Sequence, residues 1–311
     1  MNLHGLHHVT AITGDTRKNL SFYTEVLGLR LVKKTVNQDD VGAYHLFYAD
    51  RNGSPGTDIT FFDWPQAGPN RPGVDTISRT FFRVLDRNAL DFWEERFREQ
   101  DVPHERVDRL FDLPTILFSD HEGQALGLVA DDREPLEDEP WDAAGVSSDN
   151  ALRGFHSVEL TVQQVEQVEP VLTQLLNMTR RDADDGPVFS MDGGGPGREV
   201  RIRLAPDAPR GYQGRGGVHH VAFRLHDSGE QGEWLDRLES MGVSNSGVVD
   251  RFYFKSLYFR ISRGILFELA TDGPGFAVDE EAGSLGRKLA LPPFLESRRA
   301  AIEAGLRPLE S

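Results

Sequence analysis

GLHHVTAIT (residues 5–13) and GVHHVAFRL (residues 217–225) open alike: a glycine, one apolar residue, two histidines, then apolar alternation. Period-two alternation over this length marks a half-buried strand. Two fainter copies, SRTFFRV from Ser78 and GFHSVEL from Gly154, carry the same rhythm. Each strand leads into helical spacing: DTRKNLSFYTEVLG with Asp15 as N-cap and Gly28 at its end, DRNALDFWEERFREQ from Asp86, VEQVEPVLTQLLN with Leu172, Leu175 and Leu176, and EQGEWLDRLESMG ending at Gly242. Each then returns to an apolar closing strand: TDITFF, QALGLVAD, EVRIRLAPD or GILFELATD. Self-similarity of this kind means a repeated supersecondary unit. The sequence therefore predicts an α+β fold of four βαβββ modules, about 5–64, 78–131, 154–206 and 217–272, building mixed sheets.

The stretch 131–150, DDREPLEDEPWDAAGVSSDN, is acidic and rich in turn formers, so it reads as an exposed linker dividing the chain into halves 1–140 and 141–311. After Asp272 a tail with a Pro-Pro break and a short helix from about Leu295 is expected to wrap a neighbouring module. MDGGGPG (191–197) precedes a strand and lacks a Lys-Ser/Thr, so it reads as a hairpin loop without a ligand.

Composition narrows the chemistry. The chain has no cysteine, which leaves only His, Asp and Glu to hold a metal and removes thiolate nucleophiles. A formal charge of −16 opposes binding to nucleic acid or anionic membranes. No apolar run reaches the roughly 18 residues of a span, and MNLHGLHHVT is no signal peptide, so a cytoplasmic location is expected. Of the 34 basic residues only Lys18, Lys33, Lys34, Lys255 and Lys288 are lysines; an acid-rich, Lys-poor surface suits high salt, with a GC-rich genome as the equal alternative.

Comparing the modules with one another singles out a candidate site. Along the first strands the second histidine position holds His8, Arg79, Ser157 and His220; on the closing strands Glu268 is matched to Phe61, Leu128 and Arg203. His8, His220 and Glu268 are thus two imidazoles and one carboxylate, the facial-triad composition that leaves positions open on Fe(II) or Mn(II). Alternation groups His8 with Thr10, and His220 with Ala222 and Arg224, on the face that would line a cupped sheet; Glu268 lies between Phe267 and Leu269, where an unpaired charge is costly. In FYFKSLYFRIS, Ser256, Tyr258 and Arg260 point the same way, so Tyr258 can donate to a substrate oxygen. Arg251 can hold an anionic oxygen or pair with a surface acid. His7 and His219 fall on the opposite, apolar rows unless a bulge turns them inward. His4, His45, His104, His121, His156 and His226 read as structural or surface residues.

Together GLHHVTAIT, FYTEVLGLRLVKKTVNQDD, YHLFYAD, GTDITFF, GGVHHVAFR, FKSLYFR, GILFELATDGPGF and LGRKLALPPFLESRR resemble the vicinal-oxygen-chelate superfamily, and within it the ring-cleaving hydroquinone dioxygenases. The resemblance covers essentially the whole chain. It implies two cupped sheets of tandem βαβββ modules, Fe(II) held by His8, His220 and Glu268, and O2-dependent cleavage of a small hydroquinone-type aromatic ring. Its pattern around the metal falls on His7, Thr10, His219, Arg251 and Tyr258, which makes an inward turn of His7 and His219 the expectation. Modules one and four would then share one sheet and the metal site, and modules two and three the other. Other functions on the same scaffold are a glyoxalase-type isomerase, whose fourth protein ligand would fall at Phe61, a thiol transferase, and a non-enzymatic drug-binding protein. The ring substituents, oligomeric state and pathway are left open.

Overall fold

Residues 1–133, 139–261 and 264–309 are described by the structure, a computed structural model. Module one supplies β1 (Leu6–Thr13), β2 (Arg30–Val36), β3 (Tyr44–Ala49) and β4 (Asp58–Asp63), and module two β5 (Thr76–Val84), β6 (His104–Leu110), β7 (Leu113–Ser119) and β8 (Ala125–Ala130). Module three supplies β9 (Phe155–Val162), β10 (Thr179–Arg181), β11 (Val188–Ser190) and β12 (Glu199–Leu204), and module four β13 (Gly217–Leu225), β14 (Asn245–Asp250), β15 (Lys255–Ile261) and β16 (Ile265–Thr271). They form two eight-stranded mixed sheets, ordered β14-β15-β16-β13-β1-β4-β3-β2 and β10-β11-β12-β9-β5-β8-β7-β6. Module four is thereby joined to module one, and module three to module two. At each junction the two first strands run antiparallel, while each first strand runs parallel to its own closing strand.

The helices follow their caps. The Asp15 side chain accepts from Lys18 N to start α1 (Thr16–Ser21), which continues into a π-wound turn at Phe22–Val26 and stops before Gly28 at φ +68°. Asp86 and Asp227 cap α2 (Arg87–Glu99) and α3 (Ser228–Ser240) in the same way, and these bury Trp93, Phe97, Trp234 and Leu238 against the sheets. Module three departs from the expected helix: Val165–Gln167 is a 3-10 turn and Val171–Leu175 is π-wound. The break falls at Val168, at φ −120°, and Pro170 stands in the first turn of the second segment, where Leu172 N donates to Val168 O and a missing N–H costs no ladder bond. One apolar core, including Val9, Ile59, Phe82, Val158, Val221 and Phe267, runs along the helix-facing sides of both sheets.

The sheets meet at two close backbone approaches. Leu6 N donates to Gly197 O at 2.7 Å and Phe155 N to Gly56 O at 2.8 Å. A Cβ on Gly5 or Gly154, both at positive φ, would stand 2.8 Å from those same carbonyls, so only glycine fits.

Most of the described residues in the stretch 131–150 are exposed, as its composition implies, and a few contacts tie it to module one. Residues 134–138 lie outside the described residues; beyond them the Trp141 ring lies under the guanidiniums of Arg30 and Arg51, Arg51 N donates to Glu139 O, and Val146 is buried beside Gly28. Its few apolar residues anchor an otherwise solvated acidic run. The tail wraps module one. Ala290 N donates to Lys34 O, Phe276 packs on Phe47 and Tyr253, and α4 (Pro293–Glu296) and α5 (Arg299–Gly305) follow. Its anchor is Lys33, fully buried on β2, whose Nζ bonds Asp279 at 2.7 Å, also bonds Glu280, and sits 4.7 Å from the centre of the Tyr253 ring.

Removing the Lys33 ammonium would strand two partly buried carboxylates. Lys33→Ala is expected to cost about 3–5 kcal/mol, read as a lower urea midpoint, with Lys33→Arg recovering part of it.

A second expectation comes from the sheet of modules two and three. His156 is fully buried, with Nε2 3.0 Å from Asp131 Oδ2, Nδ1 3.1 Å from Ser157 Oγ and 3.2 Å from Arg201 Nη2. Burial, then the Arg201 guanidinium, push its imidazole down to about 3 against the pull of Asp131. Burial alone would raise the Asp131 carboxyl, but bonds from Arg133 and His156 outweigh it and hold it below the usual range. Both folded-state values are depressed, so both groups stabilise the fold above their unfolded pKa values and lose that contribution as pH falls. The free energy of unfolding should decline as pH drops from near 6.5 toward 3, and His156→Gln, which cannot take a proton, should flatten the upper part of that decline in urea titrations at fixed pH.

Candidate metal centre and aromatic cleft

The junction of β1 and β13 builds the site. Its ladder pairs Leu6 with Phe223 and then His8 with Ala222, so His7 is an extra residue on β1; farther on, Thr10 pairs with His220 and Ala11 with Val218, so His219 is an extra residue on β13. Each first histidine is therefore a bulge residue. A bulge breaks strict alternation and lets two successive side chains turn to one face. His7 Nδ1 lies 2.9 Å from His8 Nδ1, and His219 Nδ1 lies 2.7 Å from His220 Nδ1. The inward turn that alternation alone opposed is thus present at both pairs. The same bulges recur in the other sheet at Ser78 and His156.

His8, His220 and Glu268 converge, their ligand atoms all within 4.8 Å of one another and all three residues buried. Glu268 Oε2 is 2.9 Å from His220 Nε2 and 3.2 Å from His8 Nε2. Neither approach has hydrogen-bond geometry, and both carboxylate oxygens are buried without a partner.

One carbonyl explains why. His7 Nε2 is 3.2 Å from Thr271 O, which can only accept, so the neutral His7 carries its proton there. Its Nδ1 must then accept from His8 Nδ1–H, and His8 Nε2 is left with a lone pair facing the carboxylate. Burial and the neighbouring His8 push the His7 imidazole down to about 3, which keeps it neutral, and burial lowers His220 as well. A lone pair and a buried carboxylate aimed at one another repel unless a cation lies between them, and with His220 the donor set fits a divalent transition metal.

The register also corrects the match made on sequence alone. Ala222 pairs with Glu268 as Thr10 pairs with Thr60, Phe81 with Gly127 and Glu159 with Arg201. The counterparts of Glu268 are therefore Thr60, Gly127 and Arg201 rather than Phe61, Leu128 and Arg203, because the apolar runs were aligned by hydrophobicity instead of by ladder position. Phe61 is buried on the helix side, and the place of a fourth ligand belongs to Thr60, whose hydroxyl is shared by Thr10 Oγ1 at 2.9 Å and His45 Nε2 at 2.8 Å. In the second cup the equivalent space is filled: the Arg201 guanidinium lies 4.9 Å from the Phe81 ring and 4.5 Å from that of Phe111, and a Cβ on Gly127 would meet Phe81 at 2.5 Å.

Above the triad is a narrow cleft walled by Phe47, Phe62, Phe254 and Val36. Tyr258 and Arg251 reach it from module four. Arg251 Nε donates to Tyr258 Oη at 3.3 Å and Nη2 to Asp39 Oδ2 at 2.8 Å, so Arg251 pairs with an acid, and that acid stands at the cleft mouth. Burial, then Glu268, raise the Tyr258 phenol, which remains a proton donor. His45, Thr60, Phe254 and Asp39 were not singled out from sequence. His45 shares its strand face with Phe47, and extending the alternation argument to β3 would have found it.

The family model for the Glyoxalase/Bleomycin resistance protein/Dioxygenase superfamily matches residues 5–128 and 154–278. The chain is 46% identical over all of its length and all of the relative's to a Bacillus subtilis protein named "Putative ring-cleaving dioxygenase MhqA". It is 31% identical to the chlorohydroquinone/hydroquinone 1,2-dioxygenase of Sphingobium indicum, over 94% of this chain and 92% of that one. A crystal structure of a Bacillus subtilis "putative dioxygenase" superposes with a TM-score of 0.92 at 39% identity, covering 99% of this chain and 98% of the other. With both halves matched and relatives of this identity spanning nearly the entire length, the chain belongs to the glyoxalase, bleomycin resistance protein and dioxygenase superfamily.

Proposed function

We propose that the protein is an Fe(II)-dependent dioxygenase that opens a hydroquinone-type aromatic ring with O2. The observation that carries this reading is the unpartnered buried Glu268 carboxylate facing two imidazole nitrogens at the floor of an aromatic-walled cleft. The relative named a chlorohydroquinone/hydroquinone dioxygenase supports the substrate class. His8, His220 and Glu268 would hold the metal, which when bound supplies a Lewis acid with open positions and a route for electrons between ring and O2.

The remaining roles belong to the chain's own groups. Phe47, Phe62 and Phe254 hold a planar ring in place and keep water from it. The Tyr258 hydroxyl, protonated and oriented by Arg251, donates to an oxygen on the substrate. His7 and His219 are neutral, bonded through Nδ1 to His8 and His220, and fix the orientation of those two rings. Thr10, Thr60 and His45 form a hydrogen-bonded row beside the triad that holds His45 against the cleft wall. An isomerase reading would want a fourth protein ligand, and the Thr60 hydroxyl is already engaged.

Protein loaded anaerobically with Fe(II) should consume O2 with hydroquinone, methylhydroquinone and chlorohydroquinone, and less readily with catechol, on an oxygen electrode. His220→Ala should reduce this more than about a hundredfold, since even outer-shell changes around metals cost 10–100-fold. Silence across the panel with iron bound would refute ring cleavage.

Metal retention can be read without turnover. At a free Fe(II) concentration about 100 times the dissociation constant, wild-type protein gains about 2.7 kcal/mol, a rise of several degrees in Tm, whereas Glu268→Ala should gain almost nothing.

A further inference from the structure

Beside the ring cleft is a second hollow, with about 610 Å3 of empty space open to solvent. The two share Phe62, His220, Arg251 and Tyr258, and the Asp39–Arg251 pair stands at the border between them. The second hollow does not touch His8. Its own walls are Trp64 and Leu266, with His219 between them. These side chains form one continuous surface: the Phe62 and Trp64 ring centroids are 4.8 Å apart, Trp64 meets His219 edge-on at 5.6 Å, and Leu266 lies two residues before Glu268 on the same face of β16. At the rim stand the carboxylates Asp39 and Asp40.

We propose that this hollow is a subsite for an apolar substituent of the aromatic substrate, so that alkyl-substituted hydroquinones are preferred over unsubstituted or carboxylated ones. The inference rests on the ring-cleavage reading. A ring seated over the triad and walled by Phe47 and Phe254 can direct a substituent between Tyr258 and Phe62, two of the residues that line both spaces. There an alkyl group meets indole, phenyl and leucine surface and sheds water, while a carboxylate would face Asp39 and Asp40. Among the groups bordering the second hollow, the Arg251 guanidinium could have welcomed an anion, but Asp39 already holds it.

The test is equilibrium binding to the Fe(II)-loaded protein under anaerobic conditions by calorimetry, with hydroquinone, tert-butylhydroquinone and 2,5-dihydroxyphenylacetate. The tert-butyl compound should bind about tenfold more tightly than hydroquinone, somewhat less than full burial of four carbons would give, and the carboxylated one more weakly. Leu266→Trp, which fills the hollow, should erase the tert-butyl advantage, and Trp64→Ala should reduce it. Equal affinity for the first two ligands, or an advantage untouched by Leu266→Trp, would overturn the subsite. Should that variant not fold, the ligand series on the wild-type protein and Trp64→Ala decides the matter. Oxygen uptake is scored separately: selective binding without uptake from any of the three would remove the dioxygenase reading and leave the subsite standing, whereas uptake without selectivity would do the reverse.

Discussion

The antiparallel pairing of β1 with β13 is the constraint on which the site depends. It brings together two strands from opposite ends of the chain and sets His8 beside Ala222 and Thr10 beside His220. Because the side-chain period of a strand is two, a slip of one residue would send His220 to the helix side and bring Val221 into the cup. The bulges at His7 and His219 modify this rule locally. They set an additional imidazole beside His8 and beside His220, their one-residue shifts cancel because one bulge lies on each strand, and the Thr271 carbonyl then dictates which nitrogen of His7 keeps its proton.

The two cups start from the same scaffold, bulges included, and differ by a handful of substitutions at equivalent ladder positions. Where the first has Ala222, the second has Phe81; where the first has Glu268, the second module pair has Gly127 on one side and Arg201 on the other. A small residue beside an acid leaves room and concentrates negative charge. A phenyl ring beside a glycine fills the room, and the buried guanidinium is met by the faces of Phe81 and Phe111, an arrangement that partly offsets the cost of taking its charge from water. Arg201 is nevertheless pushed down to about 10, chiefly by burial. One cup is therefore suited to a ligand and the other to rigidity.

Much of this was legible in the sequence because the repeat compares the chain with itself. Four copies of strand, helix and closing strand are visible in the alternation and the Asp caps, and the solitary carboxylate in GILFELATD stands out against three partners that lack it. The ladder positions were not legible: GTDITFF and QALGLVAD are apolar on both sides of the residue in question, so hydrophobicity cannot distinguish Thr60 from Phe61 or Gly127 from Leu128, and hydrogen-bond register decides. Nor do bulges have a composition of their own, which is why the resemblance, rather than alternation, anticipated the inward His7 and His219. Asp39 gains its meaning only from Arg251, a residue brought near by the fold. At 131–150 average polarity foretold the exposure but not the anchoring by Trp141 and Val146.

The joining of first and last modules also has a temporal meaning. His8 emerges from the ribosome some 260 residues before Glu268, so the nascent chain cannot own a complete triad until nearly all of it has been made. Modules two and three, contiguous in sequence, can close their sheet in the meantime, while β1 waits with an unpaired edge for β13. Close approach at Gly5 and Gly154 links that waiting strand to the finished sheet, so the second half of synthesis inherits a template already positioned to receive it.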